Sequence, residues 1–215
     1  MERERASAPA EPGVPAVPAA GDFRGAEFLR TRRLVLRELR LADVGALIAL
    51  NAQPEVSRWL VEPCPTDYFG VAKIVVRANE NYLLRPGLGV WHASDAHGCF
   101  VGVFSLVPID GGDEVEIGTR LLPAAWGRLY PVEGGRALCA HAFERIGLSH
   151  LVGLCHPHNR AVPAILRRLG FRADGETRHF GNVALRYVLR REDWRTRVRR
   201  AQASAVAQPH EGAVS

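Results

Sequence analysis

The sequence predicts a mixed α+β domain, one sheet of parallel and antiparallel strands carrying helices. Three observations lead there. The apolar spacing alternates between two residues and about 3.6 along residues 27–197. Three strand-like runs follow one another between Gly89 and Leu122. Only one clear strand–helix–strand crossover is visible, from VEIGTRLL through the helix after Trp126 to HLVGLCH.

The elements follow in order. RRLVLREL puts Leu34 and Leu36 on one strand face and Arg33, Val35 and Arg37 on the other. LADVGALIALN has Val44, Leu47 and Ile48 at helical spacing, with Asp43 as cap or first-turn acid. PEVSRWL is a short turn or helix. From Thr66 to Tyr82 the stripe Val71, Ile74, Val75, Ala78 and Tyr82 predicts a second helix, stopped by Arg85-Pro86-Gly87. GVWHA and CFVGVFSLV are strands joined by SDAHG. In VEIGTRLL, Val115, Ile117 and Thr119 alternate with Glu116, Gly118 and Arg120.

WGRLYPVEGG opens a helix that turns Val132, Leu138, Ala142, Phe143 and Ile146 inward and stops at Gly147. HLVGLCH is apolar throughout, as suits a central strand buried on both faces. HNRAVPAILRRLGF is a helix with Asn159 as cap and Gly170 at its end. FRADGETRHF and VALRYVLR form a hairpin turning at Gly181-Asn182. Trp59, Trp91 and Trp126 read as packing residues, and Trp194 closes the last strand or begins the tail.

Composition sets the organisation. The chain has 215 residues, 47% of them hydrophobic, enough for one well-buried core. Residues 1–26, rich in Ala and Pro, cannot bury enough apolar surface to order themselves, so a disordered arm is expected. The domain is expected over 27–197 and a disordered tail over 198–215. The net charge is +5, and Arg190, Arg191, Arg195, Arg197, Arg199 and Arg200 crowd the end of the domain. With only Trp194 interleaved, a solvated tail is favoured over a nucleic-acid surface.

Cys64, Cys99, Cys139 and Cys155 show no paired spacing, and no secretion signal is visible, so a reduced, cytoplasmic protein is expected. No continuous apolar segment suggests a membrane span. His156 and His158 in CHPHN have no carboxylate or thiolate at ligand spacing, and no metal is expected.

In this order and spacing, TRRLVLRELRLAD, EVSRWL, VEIGTRLLPAAWGR, HNRAVPAILRRLGF and YVLRREDW resemble the GNAT superfamily of N-acetyltransferases. The similarity is to the branch that acetylates the N-termini of ribosomal proteins. Its members read E-I-G-Y-x-L-x-P-x-x-W-G-x-G-Y-A-T-E-A, then N-x-A-S and K-L-G-F. The resemblance covers nearly all of residues 27–197. It implies a mostly antiparallel mixed sheet, splayed at its centre and flanked by helices, with acetyl-CoA in the gap. It also implies direct attack on the thioester by an amine, from a protein N-terminus or a small molecule, in a ternary complex. A monomer or homodimer is expected.

Carried over by position, the resemblance makes Glu116 the general base, acting through a water, with its carboxyl raised by partial burial. A main-chain N–H near Leu121 or Leu122 polarises the thioester carbonyl. Trp126, Gly127, Arg128, Leu129, Tyr130 and Val132 form the loop for the pyrophosphate. Asn159 matches the asparagine that orients the pantetheine arm, although a helix cap explains it equally well. Arg136 and Arg160 are weaker candidates for the donor, and Glu133 reads as a structural first-turn acid.

Four positions depart from the pattern. Leu129 stands for a glycine and takes positive φ only at a cost. Pro131 stands for an alanine and removes one N–H donor, worth about 1.5–3 kcal/mol of charge-assisted bonding. Val162 and Leu166 stand where a serine and a tyrosine would protonate the departing thiolate. His156 or His158 is the substitute acid–base candidate. These departures leave a second reading open, a GNAT-fold binding or regulatory protein with a degraded CoA loop.

Overall fold

A computed structural model describes residues 25–61 and 64–206. The arm expected over residues 1–26 lies almost wholly outside the described residues, as does 207–215. Eight strands form one sheet: β1 (Glu27–Arg30), β2 (Leu34–Glu38), β3 (Gly89–Asp95), β4 (Phe100–Pro108), β5 (Val115–Leu121), β6 (His150–Cys155), β7 (Arg172–His179) and β8 (Asn182–Arg190). Their order is β1-β2-β3-β4-β5-β6-β8-β7. Every neighbouring pair is antiparallel except β5 and β6.

Helices cover both faces, and each cover has its own core. α1 (Val44–Asn51), α2 (Pro54–Ser57) and α3 (Tyr68–Leu84) bury Val44, Leu47, Leu50, Val71 and Val75 against Leu39 and Val103. α4 (Tyr130–Ala140) and α5 (Ala161–Leu169) bury Leu138, Cys139, Leu166 and Leu169 on the other face, against Phe104, Leu106 and Ile117. α4 can lie this close because it carries two glycines on its inner side. A Cβ at Gly134 would stand 2.4 Å from the Phe104 ring, and one at Gly135 would stand 2.8 Å from Leu169. The last turn of that helix, His141–Ile146, widens to π geometry and ends at Gly147 with φ +83°.

Asp43 does more than cap. Its carboxylate accepts the Arg40 N–H at 2.8 Å and both Arg37 nitrogens at 2.7 Å, almost out of contact with solvent. Burial alone would raise its pKa, but the Arg37 guanidinium and the Arg40 amide hold it below the ordinary value.

Several expectations need correction. The strand β1 precedes the expected first strand and pairs with it. The hairpin between β7 and β8 turns at Phe180 and Gly181, one residue earlier than expected, because His179 and Asn182 are already paired. Both turn residues are left-handed, φ +47° and +77°, as a two-residue hairpin loop of matching twist demands. The domain does not give way to a tail at 197, since α6 (Arg191–Val206) is one helix running through that point. Its Trp194 is buried beside Phe143 and donates to Glu144 Oε1 at 3.3 Å. Trp91 packs in the core, stacked on Phe28, whereas Trp126 is 47% exposed and packs little. Thr119 shares a strand face with Val115 and Ile117 but is exposed, unlike them.

Candidate active site

β5 and β6 touch through a single register pair, Glu116 with Val152. Past that point they no longer pair, β5 continuing its ladder with β4 and β6 its ladder with β8. The gap opens a cavity of about 630 Å³, walled by β4 and β5 on one side and by Leu154, Cys155 and α5 on the other. Trp126, Gly127 and Pro131 stand at one end.

Glu116 sits at the apex of the gap, half-buried in the cavity wall. Burial pushes its carboxyl up to about 7, against a smaller pull from the Leu154 backbone N–H. An acid poised there is divided between both protonation states at neutral pH, which suits proton abstraction.

The loop at the opposite end keeps the shape of an anion cradle. Gly127 has φ +76°, and Leu129 takes φ +59°, ψ +15° despite its side chain. That conformation costs a leucine about 1–2 kcal/mol. The side chain lies outward, 51% exposed, and is not part of the cavity wall. Among the described residues, the N–H groups of Gly127, Arg128, Leu129 and Tyr130 have no hydrogen-bond partner. Four consecutive donors therefore remain despite Pro131. Val132 is not one of them, because its N–H donates to Leu129 O at 3.0 Å. Arg128 is exposed beside the loop, as are Arg136 and Arg160 beyond it.

The start of α4 is fixed from behind. Glu133 accepts from Thr31 Oγ1 at 2.6 Å, the Arg33 N–H at 2.8 Å and Arg33 Nε at 2.6 Å. The Arg33 guanidinium also lies 5.0 Å over the Tyr130 ring. Glu133 is thus structural, pinning the loop to the turn between β1 and β2.

Of the two expected carbonyl-polarising amides, Leu122 is engaged, donating to Val101 O at 3.0 Å. The alternation of an antiparallel ladder turns the N–H groups of Leu121 and Thr119 the other way, toward the gap. Asn159 lines the cavity and also caps α5, its Oδ1 accepting from Ala161 N at 3.1 Å and Val162 N at 3.4 Å. The cap leaves its amide NH₂ without a partner among the described residues. Val162 and Leu166 both face the cavity and offer no hydroxyl.

His156 and His158 stand beside the cavity rather than in its wall, with His156 packed edge-on against Trp59. Among the described residues, no three His, Cys, Asp or Glu side chains group as a metal ion would require. Residues not singled out by sequence also reach the wall, including Ser105, Arg120 and His179. Arg120 was within reach of the alternation that places Glu116, two strand repeats away. Asn182 Nδ2 donates to Val61 O at 2.9 Å, joining the β7–β8 hairpin to the segment after α2 across this side of the cleft.

A family model described as an acetyltransferase (GNAT) domain matches residues 33–172. The FsC-acetyl coenzyme A-N(2)-transacetylase of Aspergillus fumigatus is 30% identical over 125 residues, which are 51% of this chain and 53% of that protein. The chain thus matches only about half the length of that relative. The crystal structure of an acetyltransferase from Agrobacterium tumefaciens superposes with a TM-score of 0.66 at 28% identity, covering 75% of this chain and 92% of that one. RimL, a ribosomal-protein alpha-N-acetyltransferase solved with coenzyme A, superposes with a TM-score of 0.64 at 21% identity, covering 74% and 95%. The matched span runs from the start of β2 to the start of β7 and so contains both walls of the gap and the loop at its end. On that match, the chain belongs to the GNAT acetyltransferase family.

Proposed function

We propose that this protein transfers the acetyl group of acetyl-CoA to a primary amine, by direct attack within a ternary complex, and that residues 27–206 form one acetyltransferase domain. The observation that carries the reading is Glu116, an acid titrating near neutrality at the apex of a cleft whose other end presents four amides without a partner among the described residues. Those amides and Arg128 take the pyrophosphate. The pantetheine arm follows the gap past Asn159, and the Leu121 N–H meets the thioester carbonyl. Glu116, directly or through a water, accepts a proton from the amine. The amine nitrogen bonds to the carbonyl carbon, the carbon–sulfur bond breaks, and CoA leaves as thiolate. A thiol with a pKa of about 8.5 is a tolerable leaving group, so protonation by solvent suffices in place of a hydroxyl from α5. The donor agrees with the names of the Aspergillus transacetylase and of RimL solved with coenzyme A. No described helix is long and apolar enough to cross a membrane, and a cytoplasmic setting with a protein N-terminus or small amine as acceptor fits this reading.

Initial rates with both substrates varied are expected to give intersecting double-reciprocal lines. Parallel lines with an acetylated enzyme detected by mass spectrometry would replace direct attack by a covalent route.

The second reading, a binding protein without turnover, is favoured by Leu129, Pro131, Val162 and Leu166 all lying at the donor side. A Leu129→Gly/Pro131→Ala variant separates the two. It regains a donor at position 131 and should bind acetyl-CoA about tenfold more tightly by calorimetry. Leu129→Gly alone should raise stability by about 1 kcal/mol as left-handed strain is relieved. No binding in either protein would remove the transferase reading.

A further inference from the structure

The acceptor side of the cleft is built as a row. β4 and β5 pair Val107 with Glu116, Ser105 with Gly118, and Val103 with Arg120. Residues two apart on a strand share a face. Val103 belongs to the core under α1 and α3, so Glu116, Gly118 and Arg120 lie along that same face. All three line the cavity. The middle of the row is kept low: a Cβ at Gly118 would stand 2.5 Å from Ser105 Oγ, whose hydroxyl occupies that space instead. Among the described residues, Ser105 Oγ has no hydrogen-bond partner.

Arg120 closes the row. Its Nη1 donates to Asn51 Oδ1 at 3.0 Å and approaches Cys64 Sγ. Among the described residues no carboxylate forms an ion pair with it. A guanidinium carries five N–H donors, and among the described residues only Nη1 of this one is engaged. A half-buried cation with no carboxylate partner among the described residues gains from an incoming anion, because its lost hydration is then offset.

We propose that Arg120 reads an acidic group on the acceptor, so that the cleft selects amines carrying a carboxylate at a set distance. The proposal rests on the acetyltransferase reading above. Four residues of strand at about 3.3 Å each put the Cα atoms of Glu116 and Arg120 about 13 Å apart. An extended peptide advances about 3.3–3.6 Å per residue. With its α-amine at Glu116, a peptide brings the side chain of its third or fourth residue level with Arg120, and the Ser105 hydroxyl meets the backbone between. A small aminocarboxylate of equal length satisfies the same chemistry.

The test uses the tetrapeptide amides Ala-Ala-Ala-Asp and Ala-Ala-Ala-Asn, with aminooctanoic acid and its amide as the small-molecule pair. Binding to the CoA-loaded protein is read by calorimetry, and acetylation by initial rates. In the wild type, one acidic member is expected to exceed its neutral twin about tenfold or more in affinity and kcat/KM. Whichever pair shows the preference identifies the source of the carboxylate. Arg120→Gln should abolish the preference while acetyl-CoA affinity stays unchanged. Equal values within both wild-type pairs, or a preference that persists in Arg120→Gln, overturn the proposal. Acetylation of neutral and acidic amines alike would leave the transferase reading standing. Selective binding of the acidic member without acetylation would do the reverse, keeping the role of Arg120 and removing the transferase reading.

Discussion

Glu116→Gln is expected to lower acetyl transfer by about 10²–10⁴-fold while leaving acetyl-CoA affinity within about twofold of the wild type. Glutamine keeps the shape of the side chain and loses only the ability to take a proton. Because the wild-type carboxyl titrates at about 7, kcat/KM should rise with pH through an inflection near 7, and the variant should lack that limb. The same substitution should act oppositely on stability. Glu116 ionises at 4.5 in an unfolded chain and at about 7 in the fold. Between these values the unfolded chain has released its proton and the fold has not, so stability falls as pH rises and the loss is complete above 7. The difference corresponds to about 3 kcal/mol. Urea unfolding should therefore find the variant more stable by up to that amount at pH 8 and equal to wild type near pH 4. A slow variant whose stability gap does not change with pH would show that the carboxylate is not held uncomfortably in the apex.

The second large effect is on the fold itself. Asp43→Ala should cost about 3–5 kcal/mol, measured by urea unfolding, because it strands the Arg37 guanidinium in a largely buried position. It also frees the Arg40 N–H that opens the turn into α1. Removing both charges, as in Arg37→Met/Asp43→Ala, should recover part of that loss, since the desolvated cation goes with its partner. A single-variant cost below about 1 kcal/mol would mean that water reaches the pair and screens it.

Much of this architecture was legible in apolar spacing. β2 to β6, α1, α3, α4 and α5 fall where alternation or a helical stripe puts them, and Gly147 and Gly170 end their helices as left-handed caps. The misses have physical causes. β1 is four residues at a sheet edge and carries too few apolar positions to show a period. The hairpin turn puts Phe180 where a small polar residue is the rule, so turn chemistry pointed one residue late. The arginine run hid α6, because its burial rests mainly on Trp194, with Val198 partly buried beside it, rather than on a continuous stripe. At the cleft, Glu116 and Asn159 were reached only through resemblance, while the engaged amides of Leu122 and Val132 could not be told from free ones without a backbone. Arg120 was visible in the alternation, but nothing local says which partners a strand arginine meets among the described residues.

The lone β5–β6 pair has a consequence for solvent. A strand in the middle of eight normally shields its amides from deuterium for as long as the fold stays closed. Here the inner sheet has an internal shoreline, and the Thr119 and Leu121 amides should take up deuterium like those of an outermost strand. Their protection should return when acetyl-CoA occupies the breach, the pantetheine amides serving as the missing rung.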